Sequence, residues 1–394
     1  MVIEMHRTPK QCCSWMVVAI LVCPHFLQAQ SVANISVLNL REYGWEAPEP
    51  HRHSADRPSI AIDRQNRVVV GFTVQERAGL VTRAQPSLAL RLIRFLADGK
   101  PDLSLSLPTN AAGRTAVYLS DSDQIIARAN DSLQLPEESK TNPQEWIWKT
   151  VAPCAERCLI EQSNSRHTLL LYTAEADPVT LIRLSQEPES KQCGNSPRLI
   201  EIAEDKIQNY PQAITDTFAY FSGQTRRLEP FTYRWPLCDY EHRTEIRPPL
   251  RGRITVLGDE TFATGEKDLE VVSAEHILFR QSMAKHESWD NFWVPIRSSE
   301  RGDRIAVDIL TTRGGNRTLD ISSHVTARRI AVYDIDAGKE VASIPVKATH
   351  RYSYEFDLSP DGKRLAILED DKVSVVHLAL PGKDETKPGL PPSD

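Results

Sequence analysis

The residues whose types and spacing best suit chemistry lie in Trp289-Asp290-Asn291-Phe292-Trp293, where aromatic rings interleave with a carboxylate and an amide. Such a set can stack on a sugar ring or grip a peptide, so Trp289, Asp290, Asn291 and Trp293 are the candidate ligand-binding residues. Packing between sheets is the competing use of the two tryptophans. His51 and His53 form an H-x-H pair that an extended chain would point the same way, a geometry able to hold a metal. Their neighbours Glu49, Arg52 and two prolines suit an exposed loop better, and we assign no metal ligand. Asp121, Asp123, Asp216 and Asp303 fall in expected turns and are the acids a hydrolase or lyase would have to use. Ser282-Met283-Ala284-Lys285 has the S-x-x-K form in which a lysine activates a serine, but the S-x-N and K-T-G partners of that motif do not occur. His286-Glu287 begins an H-E-x-x-H pattern that Asp290 ends. No coherent catalytic set emerges, and the sequence implies no cofactor.

Arg301-Gly302-Asp303 raises the prospect of an adhesion signal, and its surroundings answer it. Ser299-Glu300-Arg301-Gly302-Asp303-Arg304-Ile305-Ala306-Val307 aligns with Ser359-Pro360-Asp361-Gly362-Lys363-Arg364-Leu365-Ala366-Ile367, with Ser, Gly, Arg and Ala in register. In both, a glycine suited to positive φ separates two β-rich runs, which is turn chemistry. Pro58 to Val74 repeats the pattern with Asn66 at the turn, a residue that tolerates the left-handed region. Further strand-turn-strand units fall at Gly113 to Ala129, Ser165 to Leu184, Thr215 to Trp235 and Gly252 to Gly265. Seven units result, spaced by roughly 40 to 55 residues, as propeller repeats are. Leu88 to Pro108 and Arg329 to Val346 add β-rich arms around Gly-Lys turns, the outer hairpins of four-stranded blades. Only Pro197 to Asn209 reads as helical.

SPDGKRLAIL, Ser359 to Leu368, resembles the repeat of WD-like propellers and is similar to the Tol-type periplasmic propellers. AVYDIDAGKEVASIPV, Ala331 to Val346, resembles their outer strands. The match covers about the last fifth of the chain; elsewhere only the pattern agrees, and the resemblance implies a fold without assigning catalytic residues. Ring closure supports it independently. The last unit supplies three strands, Tyr352 to Leu358, Arg364 to Leu368 and Val373 to Leu380, and Val32 to Leu40 has no local partner. Placed as the fourth strand, it would close the ring and remove an exposed edge.

The chain has 394 residues, 40% of them hydrophobic and 25% charged, enough for a buried core. Its net charge of −6 supplies no broad positive field, which argues against a nucleic-acid partner. Residues 1 to 30 have the order of a secretory signal: Arg7 and Lys10, then the apolar run Trp15 to Val22, then small residues at Ala29 to Ser31. Leu21-Val22-Cys23 also hints at a lipid-anchor signal, but Val22 is bulky where that signal needs small residues. No stretch is long and apolar enough for a transmembrane helix. Export leaves Cys154, Cys158, Cys193 and Cys238, an even number suited to two disulfides in an oxidising compartment. Three pairings are possible; the favoured one joins neighbours, Cys154 with Cys158 and Cys193 with Cys238.

The expectation is therefore an all-β, seven-bladed propeller over residues 31 to 380, with six or eight blades as alternatives, ahead of a disordered Pro-rich tail over 381 to 394. It is expected in the periplasm or outside the cell, as a monomer without enzymatic activity that binds a protein or peptide. The alternative is a propeller enzyme acting on a carbohydrate or lactone, with a metal or carboxylate cluster at the channel.

Overall fold

One turn, used repeatedly, explains why these residues fold as they do. In Ser299–Arg304 the Gly302 N–H donates to Ser299 O (3.0 Å), while Ser299 Oγ accepts from the Arg304 N–H (3.1 Å). Ser359–Arg364 repeats both bonds at 2.8 and 2.9 Å. In Asp63–Arg67 a carboxylate oxygen replaces the hydroxyl (2.8 Å), and Asn66 takes the left-handed position at φ 62°. A short polar side chain thus satisfies the backbone donor that the reversal would leave unpaired.

These turns belong to a computed structural model that describes residues 33–378, apart from 46–57, 77–86, 110–115, 130, 140–145, 155–157, 173–177, 196–198, 203–204, 209–210, 226, 240, 251–253, 259, 266–267, 274–275, 290–295, 314–324 and 348–353. Among the described residues seven antiparallel blade sheets form beside one two-stranded hairpin, and each blade follows sequential strand order but for the last and for the split first strand of the sixth. Blade 1 comprises Ser59–Ile62, Val68–Glu76, Ser87–Phe95 and Pro101–Thr109, and blade 2 Ala116–Leu119, Ile125–Ala129, Ser132–Glu138 and Trp146–Pro153. Blade 3 comprises Leu159–Gln162, Thr168–Tyr172, Pro178–Arg183 and Glu189–Asn195. Blade 4 comprises Ala213–Ile214, Phe218–Gln224, Pro230–Pro236 and Thr244–Glu245, and blade 5 Thr255–Gly258, Thr261–Thr264, Leu269–Ser273 and His276–Gln281. In blade 6 the first strand is split into Glu287–Trp289 and Arg297–Ser298, both paired to Arg304–Thr312, with Val325–Asp334 and Lys339–Val346 outside.

Blade 7 takes Tyr354–Leu358, Arg364–Glu369 and Lys372–His377 from the end of the chain and Ala33–Asn39 from its beginning. Ala33–Asn39 runs antiparallel to Lys372–His377 as the outer strand, so the ring closes as the unpaired N-terminal strand led us to expect. Leu38 and Leu40 are buried, and the Leu40 N–H and Trp45 Nε1–H donate to Asp371 O and Asp370 O, both at 2.7 Å. Seven blades exclude the six- and eight-bladed alternatives.

The core lies between blades. Leu257, Ala263 and Val271 of blade 5 pack with Ile305, Val307 and Tyr333 of blade 6, and every blade meets its neighbours in this way. A second strand covered on both faces has no solvent side, and Thr168–Tyr172 is buried throughout. Trp146 and Trp148 pack partly buried against the cluster shared by blades 1 and 2.

Both favoured disulfides are present. Cys154 and Cys158 (Cα–Cα 5.3 Å) close a short loop between blades 2 and 3, and Cys193 and Cys238 (4.5 Å) tie blade 3 to blade 4. The segment expected to be helical is a β-hairpin instead, Leu199–Ile202 against Asp205–Gln208 with Ile200 opposite Ile207. Its isoleucines fit a period of two as well as a helical one, and β-branched residues tip so short a run toward strand. No helix among the described residues is long and apolar enough to cross a membrane. The signal segment, Cys23, the His51 and His53 pair and the tail lie outside the described residues.

Candidate functional site

The first strands of the seven blades line a central channel with a cavity of about 550 Å³. Successive strands alternate direction, so the turns between first and second strands gather at one mouth. The connections between second and third strands gather at the other, with those between blades.

At the first mouth one turn reaches every other blade. It is Ser163-Asn164-Ser165-Arg166-His167-Thr168 of blade 3. Asn164 Nδ2 donates across the channel to Leu257 O of blade 5 (3.1 Å) and Ser299 O of the blade 6 turn (3.2 Å), and its Oδ1 accepts from Ser298 Oγ (2.7 Å). Arg166 Nη1 donates to Ile62 O of blade 1 (2.8 Å), and Nη2 lies 3.7 Å from Asp357 of blade 7. His167 bridges two carboxylates, with Nε2 3.0 Å from Asp121 of blade 2 and Nδ1 3.3 Å from Asp216 beside blade 4. Asp216 also accepts from Ser165 Oγ and Thr168 Oγ1, both at 2.8 Å. Burial pushes the Asp216 carboxyl up, but hydrogen bonds from Ser165, Thr168 and Ser163, with the charge of His167, hold it below the usual range.

Arg64 adds an outer tie. It pairs with Glu300 of blade 6 (2.6 Å), donates from Nη1 to Asp121 O, and its N–H donates to Asp123 (2.9 Å). Burial pushes Asp123 up, and Asp63 adds to this against that hydrogen bond. Asp303 accepts from Ser299 Oγ within its own turn (2.5 Å). A Cβ on Gly302 would stand 2.8 Å from Leu257 O, so the Arg301-Gly302-Asp303 turn meets blade 5 at its glycine, with Arg301 exposed. The four acids singled out in the sequence are thus brought to one face, each engaged in holding turns.

Within the cavity, Arg297 of blade 6 pairs with Glu355 (3.1 Å) and lies 3.8 Å from Asp357, which accepts from the Ile62 N–H (2.8 Å). Burial pushes the Tyr118 hydroxyl well above its usual range; Arg128 opposes this, Glu161 and Glu355 add to it, and Arg297 opposes it again. Tyr118, Glu161 and Glu355 all line the cavity. Among the described residues, no group of three or more His, Cys, Asp or Glu is arranged to hold a metal ion.

Trp289 is buried (6% exposed) in the cluster between blades 5 and 6, the packing use weighed above. Asp290, Asn291 and Trp293 lie outside the described residues. Asn164, Arg166, His167 and the cavity groups Tyr118, Arg297 and Glu355 were not singled out from sequence. One signal could have pointed to the turn: Arg166 stands where the sister turns carry Asn66, Asp123, Gly302 and Gly362, all at positive φ.

No protein-family model matches the chain, and no curated protein matches it. Among solved structures, the chain is similar to one in the crystal structure of a mitotic checkpoint complex, with 12% identity over 87% of this chain and 93% of that one and a TM-score of 0.46.

Proposed function

We propose that this chain is an exported, non-enzymatic interaction module that binds a protein or peptide through the face opposite the blade 3 turn. One observation carries the reading. The polar groups at the turn mouth are bonded to one another across all seven blades, which commits that face to holding the ring and leaves the other for partners. The second face also carries the longer connections, such as the ten residues between Glu76 and Ser87. Two disulfides suit an oxidising compartment, and with the signal-like N-terminus they support a periplasmic or extracellular location. The WD-like character of Ser359 to Leu368 agrees with a binding role. We take the module to act as a monomer, without nucleic acid.

The test is surface mapping with a partner captured on the full chain and then purified. Charge-reversal variants on the open face should weaken binding at least tenfold, and Glu300→Lys, on the turn face, should not. Loss of binding on the turn face alone would overturn the proposal. A second reading, a propeller enzyme on a carbohydrate or lactone, draws support from Tyr118, Glu161 and Glu355 lining one cavity. It requires turnover that Glu355→Gln abolishes without loss of fold.

A further inference from the structure

Seven non-glycine residues among those described have positive φ, and four are Asn or Asp, which tolerate that region. The other three are Arg166, Cys238 and Leu228. Two of these have a use inside the chain. Arg166 reaches Ile62 O and Asp357 across the channel, and Cys238 is bonded to Cys193. Leu228 has none. It sits at φ 63° at the tip of the turn between the second and third strands of blade 4, and 73% of it is exposed. The turn is the repeated one: Leu228 N–H donates to Thr225 O (2.9 Å) and Glu229 N–H to Thr225 Oγ1 (3.1 Å). Asn66 at φ 62° in blade 1 and Asp123 at φ 63° in blade 2 fill the equivalent position of that turn, so the backbone asks for Asn, Asp or Gly.

A leucine here opposes both backbone preference and burial. A side chain kept against both, 73% exposed and in none of the hydrophobic clusters formed by the described residues, points to a use outside the chain. We infer that Leu228 is an apolar anchor on the open face, inserted into a leucine-sized pocket of a protein partner. Exposed Arg227 and Glu229 form its polar rim, a charged pair that the partner must complement with opposite charges in the same order. The inference deepens the interaction-module reading and rests on it.

The experiment places a photo-crosslinking residue at position 228 of the full chain, in the cells that make it, and separately at 96. Leu96 is a 40%-exposed apolar residue in a turn on the opposite face. The protein captured at 228 is identified, purified and titrated against variants. Leu228→Met should bind like the wild type, and Leu228→Asn at least tenfold more weakly. Leu228→Asn should also unfold at the same temperature or about 2 °C higher, because the backbone strain is relieved. A lower unfolding temperature would mean that Leu228 packs within the chain, and the inference falls. Capture at 228 with unchanged binding by Leu228→Asn overturns it too. Capture at 96 alone overturns the anchor and the choice of face while leaving a protein-binding role, and capture at neither position removes both proposals.

Discussion

Replacing Arg166 separates its two roles. Its guanidinium holds Ile62 O at 2.8 Å and faces Asp357 at 3.7 Å, with the side chains only 16% and 11% exposed. Arg166→Ala removes a charge-assisted hydrogen bond of about 1.5–3 kcal/mol. It also strips one of two guanidiniums from a nearly buried carboxylate, though Arg297 remains 3.8 Å away and limits that loss. The expected destabilisation is about 2–3 kcal/mol. Alanine keeps the strain at φ 65°, whereas glycine relieves roughly 1–2 kcal/mol and returns about half of that in unfolded-chain entropy. Arg166→Gly should therefore be about 1 kcal/mol more stable than Arg166→Ala and still less stable than the wild type. Urea unfolding at pH 7, followed by tryptophan fluorescence, reads all three. If Arg166→Ala falls within about 0.5 kcal/mol of the wild type, or the glycine variant is the less stable of the two, the turn does not lock the ring.

Three further outcomes follow from the same geometry. The Cys193–Cys238 bond spans 45 residues and the Cys154–Cys158 bond 4, so chain entropy predicts losses of about 4 and about 2 kcal/mol in the respective paired Cys→Ser variants. Urea unfolding should find the first pair the more damaging. Asp216 is held below its unfolded value of 3.8, so its contribution is complete above that pH and is lost as pH falls through the folded value. The gap in unfolding midpoint between wild type and Asp216→Asn should be constant from pH 7 to 5 and shrink toward pH 2.5. Deleting Ala33–Asn39 should expose the edge of Lys372–His377 and remove the burial of Leu38, seen as rapid amide exchange confined first to blade 7.

Ring architecture was legible because its turn is chemically specific: Ser299, Ser359 and Asp63 with Gly302, Gly362 and Asn66 mark three blades by residue type. Closure was legible by elimination, since Val32 to Leu40 had nothing local to pair with. Hairpin Leu199–Gln208 was misread because apolar spacing over so short a run serves either period. The blade 3 turn escaped notice for a deeper reason. Asn164, Arg166 and His167 act on residues 46 to 191 positions away, from Asp121 to Asp357, and short polar residues in a turn carry no local mark of such partners. Within that turn only Arg166, in a left-handed position, departs from turn chemistry, and that departure leads to the channel.

Hydrogen exchange of the full chain, alone and with its purified partner, distinguishes the open face from the turn face as the binding surface. Partner binding should bring new protection at Thr225–Glu229 and neighbouring connections of the open face, with Ser163–Thr168 and Ser299–Arg304 already protected and unchanged. Protection that appears on the turn face and leaves the open face exchanging freely would contradict it.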